Sequence, residues 1–268
     1  MQIVFIIFIV LYSSFSIADY RPELAPDIQR IINRGKIIVA MHKDDVPPFS
    51  MTKQGKFTGI DVEIAREIAL KLGVDLQFNR QSKTYDEVVE FVAQGKADIA
   101  VSLVSSSLKR AKFVFFSKPY MVLKQALLIN RLGLASLKKS SANKDIRIQL
   151  NQSGVKIGTM RSTSYVGYAQ EDFPQAKIIL YDSWEKIIAE VRAGKLLAAF
   201  YDEIEINNWN KAHPEDSLYL KTKILTHRVD PLAIVVNQKD TALLEWINLY
   251  IRHAELKGHL QRLKLKYF

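Results

Sequence analysis

One segment of this chain occurs twice. Tyr85-Asp86-Glu87-Val88-Val89-Glu90-Phe91-Val92-Ala93-Gln94-Gly95-Lys96 and Trp184-Glu185-Lys186-Ile187-Ile188-Ala189-Glu190-Val191-Arg192-Ala193-Gly194-Lys195 share one pattern, from an aromatic start to a Gly-Lys end, at a constant offset of 99 residues. Each copy is followed by an apolar run that reads as a buried strand, 99–103 in the first and 198–201 in the second. Solenoid repeats recur every 20 to 50 residues or so, and an offset of this length suits two similar lobes instead.

The residues before each copy repeat the plan. Lys36-Ile37-Ile38-Val39-Ala40-Met41 reads as a buried strand and runs into Asp44-Asp45-Val46-Pro47-Pro48-Phe49, where two prolines forbid a helix or a central strand. After Gly55 and Gly59, Asp61 is expected to cap a helix whose apolar positions Val62, Ala65, Ile68, Ala69 and Leu72 recur at helical spacing until Gly73. Residues 74–78 then return as a strand, which makes a parallel α/β unit. In the second half, Val155-Lys156-Ile157-Gly158-Thr159 and residues 177–181 read as strands in the same places. Open α/β sheets bind ligands beyond the carboxyl ends of their strands, so two facing lobes enclose a ligand between them.

Composition narrows the rest. With 48% hydrophobic and 25% charged residues, few Gly or Pro and no low-complexity tract, the chain is neither disordered nor fibrous. Zero cysteines exclude disulfides, thiolate metal sites, cysteine nucleophiles and acylation of an N-terminal cysteine. The +10 charge is scattered among Asp and Glu, and its densest run, 260–266, fits a periodic amphipathic helix, so nucleic acid is not an expected partner. His42, His213, His227, His253 and His259 lack metal spacing, and neither metal nor cofactor is expected. Residues 1–18 contain no charged side chain, and Ser16-Ile17-Ala18 offers small residues for signal-peptidase cleavage before Asp19. The apolar stretch is shorter than the 20 residues or so of a spanning helix, so export and a periplasmic location with cleavage near Ala18 are expected.

The order and spacing of several further segments carry a family resemblance. They are Pro47-Pro48-Phe49 after the first strand, Gly59-Ile60-Asp61-Val62-Glu63-Ile64-Ala65, Gly95-Lys96-Ala97-Asp98, and Ser107-Leu108-Lys109-Arg110 leading to Phe116-Ser117-Lys118-Pro119-Tyr120. Val155-Lys156-Ile157-Gly158 and Leu243-Leu244-Glu245-Trp246-Ile247-Asn248 complete the set. Over 19–268 the chain resembles the polar-amino-acid family of periplasmic solute-binding proteins, the receptors of ABC importers. The resemblance implies an α/β, two-lobed periplasmic-binding-protein fold with two crossing hinge strands and a ligand cleft between the lobes. Lobe 1 is expected at 19–125 with a return segment at 229–268, and lobe 2 at 126–228. The crossings are expected near 122–130 and 230–237, where Leu232-Ala233-Ile234-Val235-Val236 reads as a strand.

An amino acid leaving water needs a fixed cation and donors for its carboxylate and a fixed anion for its ammonium, because unpaired buried charges are costly. The resemblance implies that Arg110 takes the carboxylate, since a guanidinium stays charged and presents two parallel donors. Ser105, and less directly Ser102, match polar contacts beside it. In Arg161-Ser162-Thr163-Ser164, Thr163 and Ser164 are the implied contacts, Ser162 stands where the family usually has glycine, and Arg161 is an exposed, variable position. Asp202 matches the aspartate that pairs the ligand's ammonium, and it also suits an N-cap. Phe49, Tyr85 and Tyr120 are candidate cleft walls, with Asp44 and Asp45 at the rim.

The implied activity is that of a monomeric receptor that closes on an amino acid or related small carboxylate and delivers it to a membrane ABC permease. The alternative is a cyclohexadienyl dehydratase on the same fold, which needs an acid to expel a hydroxyl. Glu87, Glu203 and Glu205 are available for that, and each is expected to be a solvated helix residue.

Overall fold

The computed structural model describes residues 23–137 and 145–268, so the expected leader and its cleavage site lie outside the described residues. Helix α1 (Pro26–Arg34) leads into β1 (Lys36–His42), and a hairpin of β2 (Met51–Lys53) and β3 (Lys56–Thr58) precedes α2 (Ile60–Leu72). Strand β4 (Asp75–Ser82), α3 (Tyr85–Ala93) and the short β5 (Ile99–Ala100) complete the first unit. The long β6 (Val114–Asn130) carries the chain to α4 (Arg131–Ser136) and α5 (Ile146–Leu150). The second unit is β7 (Lys156–Met160), α6 (Tyr165–Asp172), β8 (Lys177–Tyr181), α7 (Trp184–Arg192) and β9 (Ala198–Asp202), followed by α8 (Glu203–Ala212). Strand β10 (Leu220–Asn237) returns the chain, which ends in α9 (Thr241–Leu256) and α10 (His259–Tyr267).

The strands join in the order β4-β1-β5-β10-β6-β9-β7-β8. Within each unit the first strand lies between two parallel partners, β1 between β4 and β5, and β7 between β8 and β9. The sequence echo reappears in the caps. Thr84 accepts the Glu87 N–H and Ser183 accepts the Lys186 N–H, and the two helices run out at left-handed glycines, Gly95 (φ 71°) and Gly194 (φ 70°). Because the strands of a unit are parallel, their carboxyl ends share one edge, and the loops after β1, β4 and β5 face those after β7, β8 and β9.

Each unit buries its own core. Ile37, Val39, Ile64 and Ile68 form one together with Leu243, Ile247 and Ile251 of α9, while Ile157, Phe173, Ile187 and Phe200 anchor the other. Fully burying such a side chain contributes about 1.5–3 kcal/mol, so the terminal helices are held to the first lobe despite arriving last in sequence. Between the cores, β6 and β10 pair antiparallel from Leu220↔Asn130 to Asn237↔Val114. Their register shifts between Leu225 and Val229 and again around Ala233, and such irregularities add local twist. This is the two-lobed periplasmic-binding-protein fold with its two crossing strands.

Two local expectations change. Gly59, not Asp61, is the N-cap of α2, at φ 132°, where a β-carbon would overlap the Phe49 carbonyl. Asp61 is fully buried inside the first turn, accepting the Tyr120 hydroxyl at 2.8 Å and the Leu103 N–H at 2.7 Å. That second bond also explains why β5 stops at Ala100 rather than 103: Leu103 turns out of the sheet at φ 50° to meet Asp61.

Candidate functional site

The facing loops meet in a small cavity lined by Tyr85, Leu103, Ser105, Arg110, Thr163, Ser164, Tyr165, Tyr201, Asp202 and Asp230. It leaves about 10 Å³ of free space, room for about one water molecule. Anything larger needs the lobes to part. Arg110 is buried, and its five N–H groups are all engaged. Nε and Nη2 donate to Asp86 Oδ1 at 3.0 and 2.8 Å, and Nη1 donates to the Ser105 carbonyl at 3.3 Å. The remaining two cross to the other lobe, Nη1 to Ser164 Oγ at 3.0 Å and Nη2 to the Ser162 carbonyl at 3.5 Å. Asp86 therefore fixes one edge of the guanidinium, and the Nη1/Nη2 end is aimed across the cleft, the geometry in which two parallel donors receive a carboxylate.

Asp202 ends β9, where burial is forced by the strand it terminates. Its Oδ1 caps α8 by accepting the Ile204 and Glu205 N–H groups at 2.9 and 2.8 Å. Burial pushes its carboxyl up to about 7, with the nearby Glu205 and Asp230 charges adding to the rise. The cap role and a cleft-facing position thus coexist. Asp230, in the crossing strand β10, accepts Ser105 Oγ at 3.0 Å and the Tyr168 hydroxyl at 3.2 Å, one from each lobe. Burial raises its carboxyl as well, opposed by those two hydrogen bonds.

Six of the eight expected residues, Arg110, Ser105, Asp202, Thr163, Ser164 and Tyr85, thus line one cavity. Phe49 and Ser102 do not. Phe49 is packed in the first core edge-on to Phe268, and Ser102 Oγ accepts the His42 N–H at 2.9 Å, tying the segment after β5 to the end of β1. Tyr120 is likewise held in the core by Asp61. Thr163 lines the cavity while its hydroxyl donates to the Met160 carbonyl at 2.8 Å. Ser162 adopts φ 57°, the conformation glycine enters freely, and Arg161 pairs with Asp182 at 2.9 Å on the surface.

The cavity shares Tyr85 and Tyr201 with a wider space of about 750 Å³, whose lining also includes Asp44, Asp45, Trp184, Glu185 and Glu205. Glu205 is not the solvated helix residue expected. It is partly buried there, and burial raises its carboxyl, with the Glu185 charge as the second cause. Sequence reasoning also missed Asp230 and Asp86. The echo itself held a signal for Asp86, since it and Glu185 follow the two opening aromatics at equivalent positions. Asp230 was marked only as an acid before Pro231 at the head of an apolar run.

A buried arginine on one lobe, a buried aspartate on the other and crossing strands between them place the chain among known proteins. It belongs to the bacterial extracellular solute-binding proteins, family 3. The family model matches residues 37–268. The chain is 25% identical over 230 residues to ABC transporter arginine-binding protein 1 of Escherichia coli, covering 83% of this chain and 86% of that protein. It is 26% identical over 241 residues to the cyclohexadienyl dehydratase of Pseudomonas aeruginosa, covering 88% of this chain and 83% of that one. The crystal structure of an ancestral amino-acid-binding protein, a precursor of cyclohexadienyl dehydratase, superposes with a TM-score of 0.70 at 28% identity, covering 91% of this chain and 100% of that one. Among the described residues no helix is long and apolar enough to cross a membrane, and no group of three or more His, Cys, Asp and Glu side chains could hold a metal ion.

Proposed function

We propose that this chain is the periplasmic receptor of an ABC importer, exported with cleavage near Ala18, and that it closes two lobes on an α-amino acid. In this reading lobe 1 comprises 19–125 and 229–268, and lobe 2 comprises 126–228. The observation that carries the proposal is the opposition of Arg110 and Asp202 across one interlobe cavity. Ser164 Oγ and the Ser162 carbonyl occupy the outward end of the guanidinium. A ligand carboxylate replaces the Ser162 carbonyl, one acceptor for another, and then receives Ser164 Oγ–H as a further donor. The ligand's ammonium meets Asp202, whose ionised form it stabilises. Neither lobe alone supplies both partners, so binding favours the closed arrangement. The assay is calorimetric titration with the amino acids, repeated on Arg110→Ala. Loss of one partner of a desolvated ion pair costs about 2–5 kcal/mol, a loss of about 30-fold or more in affinity. Unchanged affinity in a folded variant would move the carboxylate site elsewhere.

The dehydratase reading is favoured by one observation, a partly buried acid with a raised carboxyl, Glu205, at the mouth of the same cleft. An acid whose carboxyl is raised by burial holds its proton more firmly than a solvated one and can give it to a leaving hydroxyl. Consumption of prephenate or arogenate by purified protein, followed with Glu205→Gln as control, separates the two readings. The receptor reading stands first because Arg110 and Asp202 together satisfy an amino acid without any further group, whereas prephenate, having no ammonium, leaves Asp202 without a partner, and arogenate, which has one, still needs Glu205 to act as an acid.

A further inference from the structure

The wider part of the cleft has aromatic walls. Tyr85 and Trp184, the opening residues of the two echoed helices, both reach it from opposite lobes, and Tyr201 lies between it and the small cavity, its ring 5.5 Å from that of Trp184. The acids around it differ in one respect. Asp45 pairs with Arg80 at 2.8 Å, Asp182 with Arg161 at 2.9 Å, and Asp44 with Lys43 at 3.7 Å. Glu185 accepts the Ser183 hydroxyl. Glu205 alone among these has neither an ion pair nor a hydrogen bond to its carboxylate among the described residues, and the charge that acts most on it is that of Glu185. It stands one helical turn beyond Asp202, on α8.

We propose that the cleft is built for an amino acid with a positively charged side chain, whose distal cation is read by Glu205 between the rings of Tyr85, Trp184 and Tyr201. The inference rests on the receptor reading and adds the side-chain class to it. The small cavity borders a second space of about 510 Å³ at Arg110, Thr163 and Ser164, and the wider space at Tyr85 and Tyr201. With the ligand's carboxylate on Arg110 and its ammonium on Asp202, the side chain leaves on the side away from Arg110, past Tyr85 and Tyr201. A neutral side chain following that path desolvates Glu205 further and gives it no partner, which opposes binding. A cation pairs with it and gains additional attraction from the faces of the rings. Selectivity therefore arises from the acid left without a partner as much as from the contact made.

The test is a titration of the mature protein with L-arginine against L-citrulline and L-lysine against L-norleucine, pairs that keep length and lose charge. At least one cationic member is expected to bind 100-fold or more tightly than its neutral partner, and Glu205→Gln, checked for an unchanged melting profile, is expected to cut that ratio below about 10-fold. Equal binding of charged and neutral partners, or a ratio unchanged in Glu205→Gln, overturns the inference while leaving the receptor reading intact. Absence of binding by every α-amino acid overturns both.

Discussion

The sharpest consequence of the cleft's electrostatics is a pH dependence of ligand affinity with a defined sign. Burial holds the Asp202 carboxyl at about 7 in the ligand-free arrangement, and a ligand ammonium placed against it pulls that value down. Binding then releases a proton, and affinity is full above 7 and falls as the pH drops below it. If the bound-state value lies below 5, the ratio of ionised to protonated Asp202 gives a loss of about 25-fold between pH 7.5 and 5.5, or about 2 kcal/mol. Near pH 6, about 0.9 proton should leave per ligand bound, which calorimetry in two buffers of different ionisation enthalpy measures directly. Asp202→Asn separates this effect from the titration of Asp230 and Glu205, because it removes only the carboxylate assigned to the ammonium and should flatten most of the slope. A 2-hydroxy acid of the same side chain reverses the sign. It brings no ammonium, so it binds best when Asp202 is protonated and loses affinity as pH rises through 7. Affinity for the amino acid that stays constant over this range, or equal slopes in the wild type and Asp202→Asn, would refute the assignment of Asp202 to the ammonium.

The fold makes further predictions. Gly59→Ala should cost at least about 3 kcal/mol in urea denaturation, because the new β-carbon overlaps the Phe49 carbonyl and the residue sits at φ 132°. Ser162→Gly should add about 1 kcal/mol of stability by relieving φ 57°, measured as a higher denaturation midpoint with an unchanged slope. Asp61, buried with its carboxyl pushed up to about 7, lowers stability as pH rises from its unfolded value through 7. The melting temperature of ligand-free protein should accordingly fall between about pH 5 and 8, with a shallower fall in Asp61→Asn, and equal slopes would count against it.

Much of the architecture was legible because periodicity and punctuation report on short range. The echo at 85–96 and 184–195 carries a helix start, an apolar face and a glycine stop, and all three reappear in the caps at Thr84 and Ser183 and the turns at Gly95 and Gly194. Arg110, Ser105 and Asp202 were legible only through family spacing. Nothing in a local window tells a cleft arginine from a surface one. Tertiary contacts decided the errors. Asp61 looks like a helix cap because acids are favoured there, yet its partners Tyr120 and Leu103 come from 59 and 42 residues away. Phe49 follows two prolines in a loop, and whether its ring turns to the cleft or to Phe268 depends on a helix at the other end of the chain.

Asp230 shows why the hinge and the site cannot be read apart. Strands β6 and β10 are joined to the first lobe through Val235↔Ala100 of β10 and β5 and to the second through Gln125↔Asp202 of β6 and β9, and Asp230 pairs with Leu123 between those anchors. From there its carboxylate takes one hydroxyl from Ser105, beside Arg110, and one from Tyr168 on α6 of the opposite lobe. A rotation about the ribbon that opens the cleft must stretch at least one of these bonds, at a buried acid whose charge is costly to leave unpartnered. The same rotation breaks the contacts of Arg110 with Ser162 and Ser164. In the proposed receptor, ligand binding would replace the second set but not the first, so that Asp230 would bias the lobes toward closure whatever the ligand, while Arg110 and Asp202 would make closure depend on it. Affinity is then set by the difference between the two sets of contacts, and a substitution at the hinge shifts binding without touching a ligand atom.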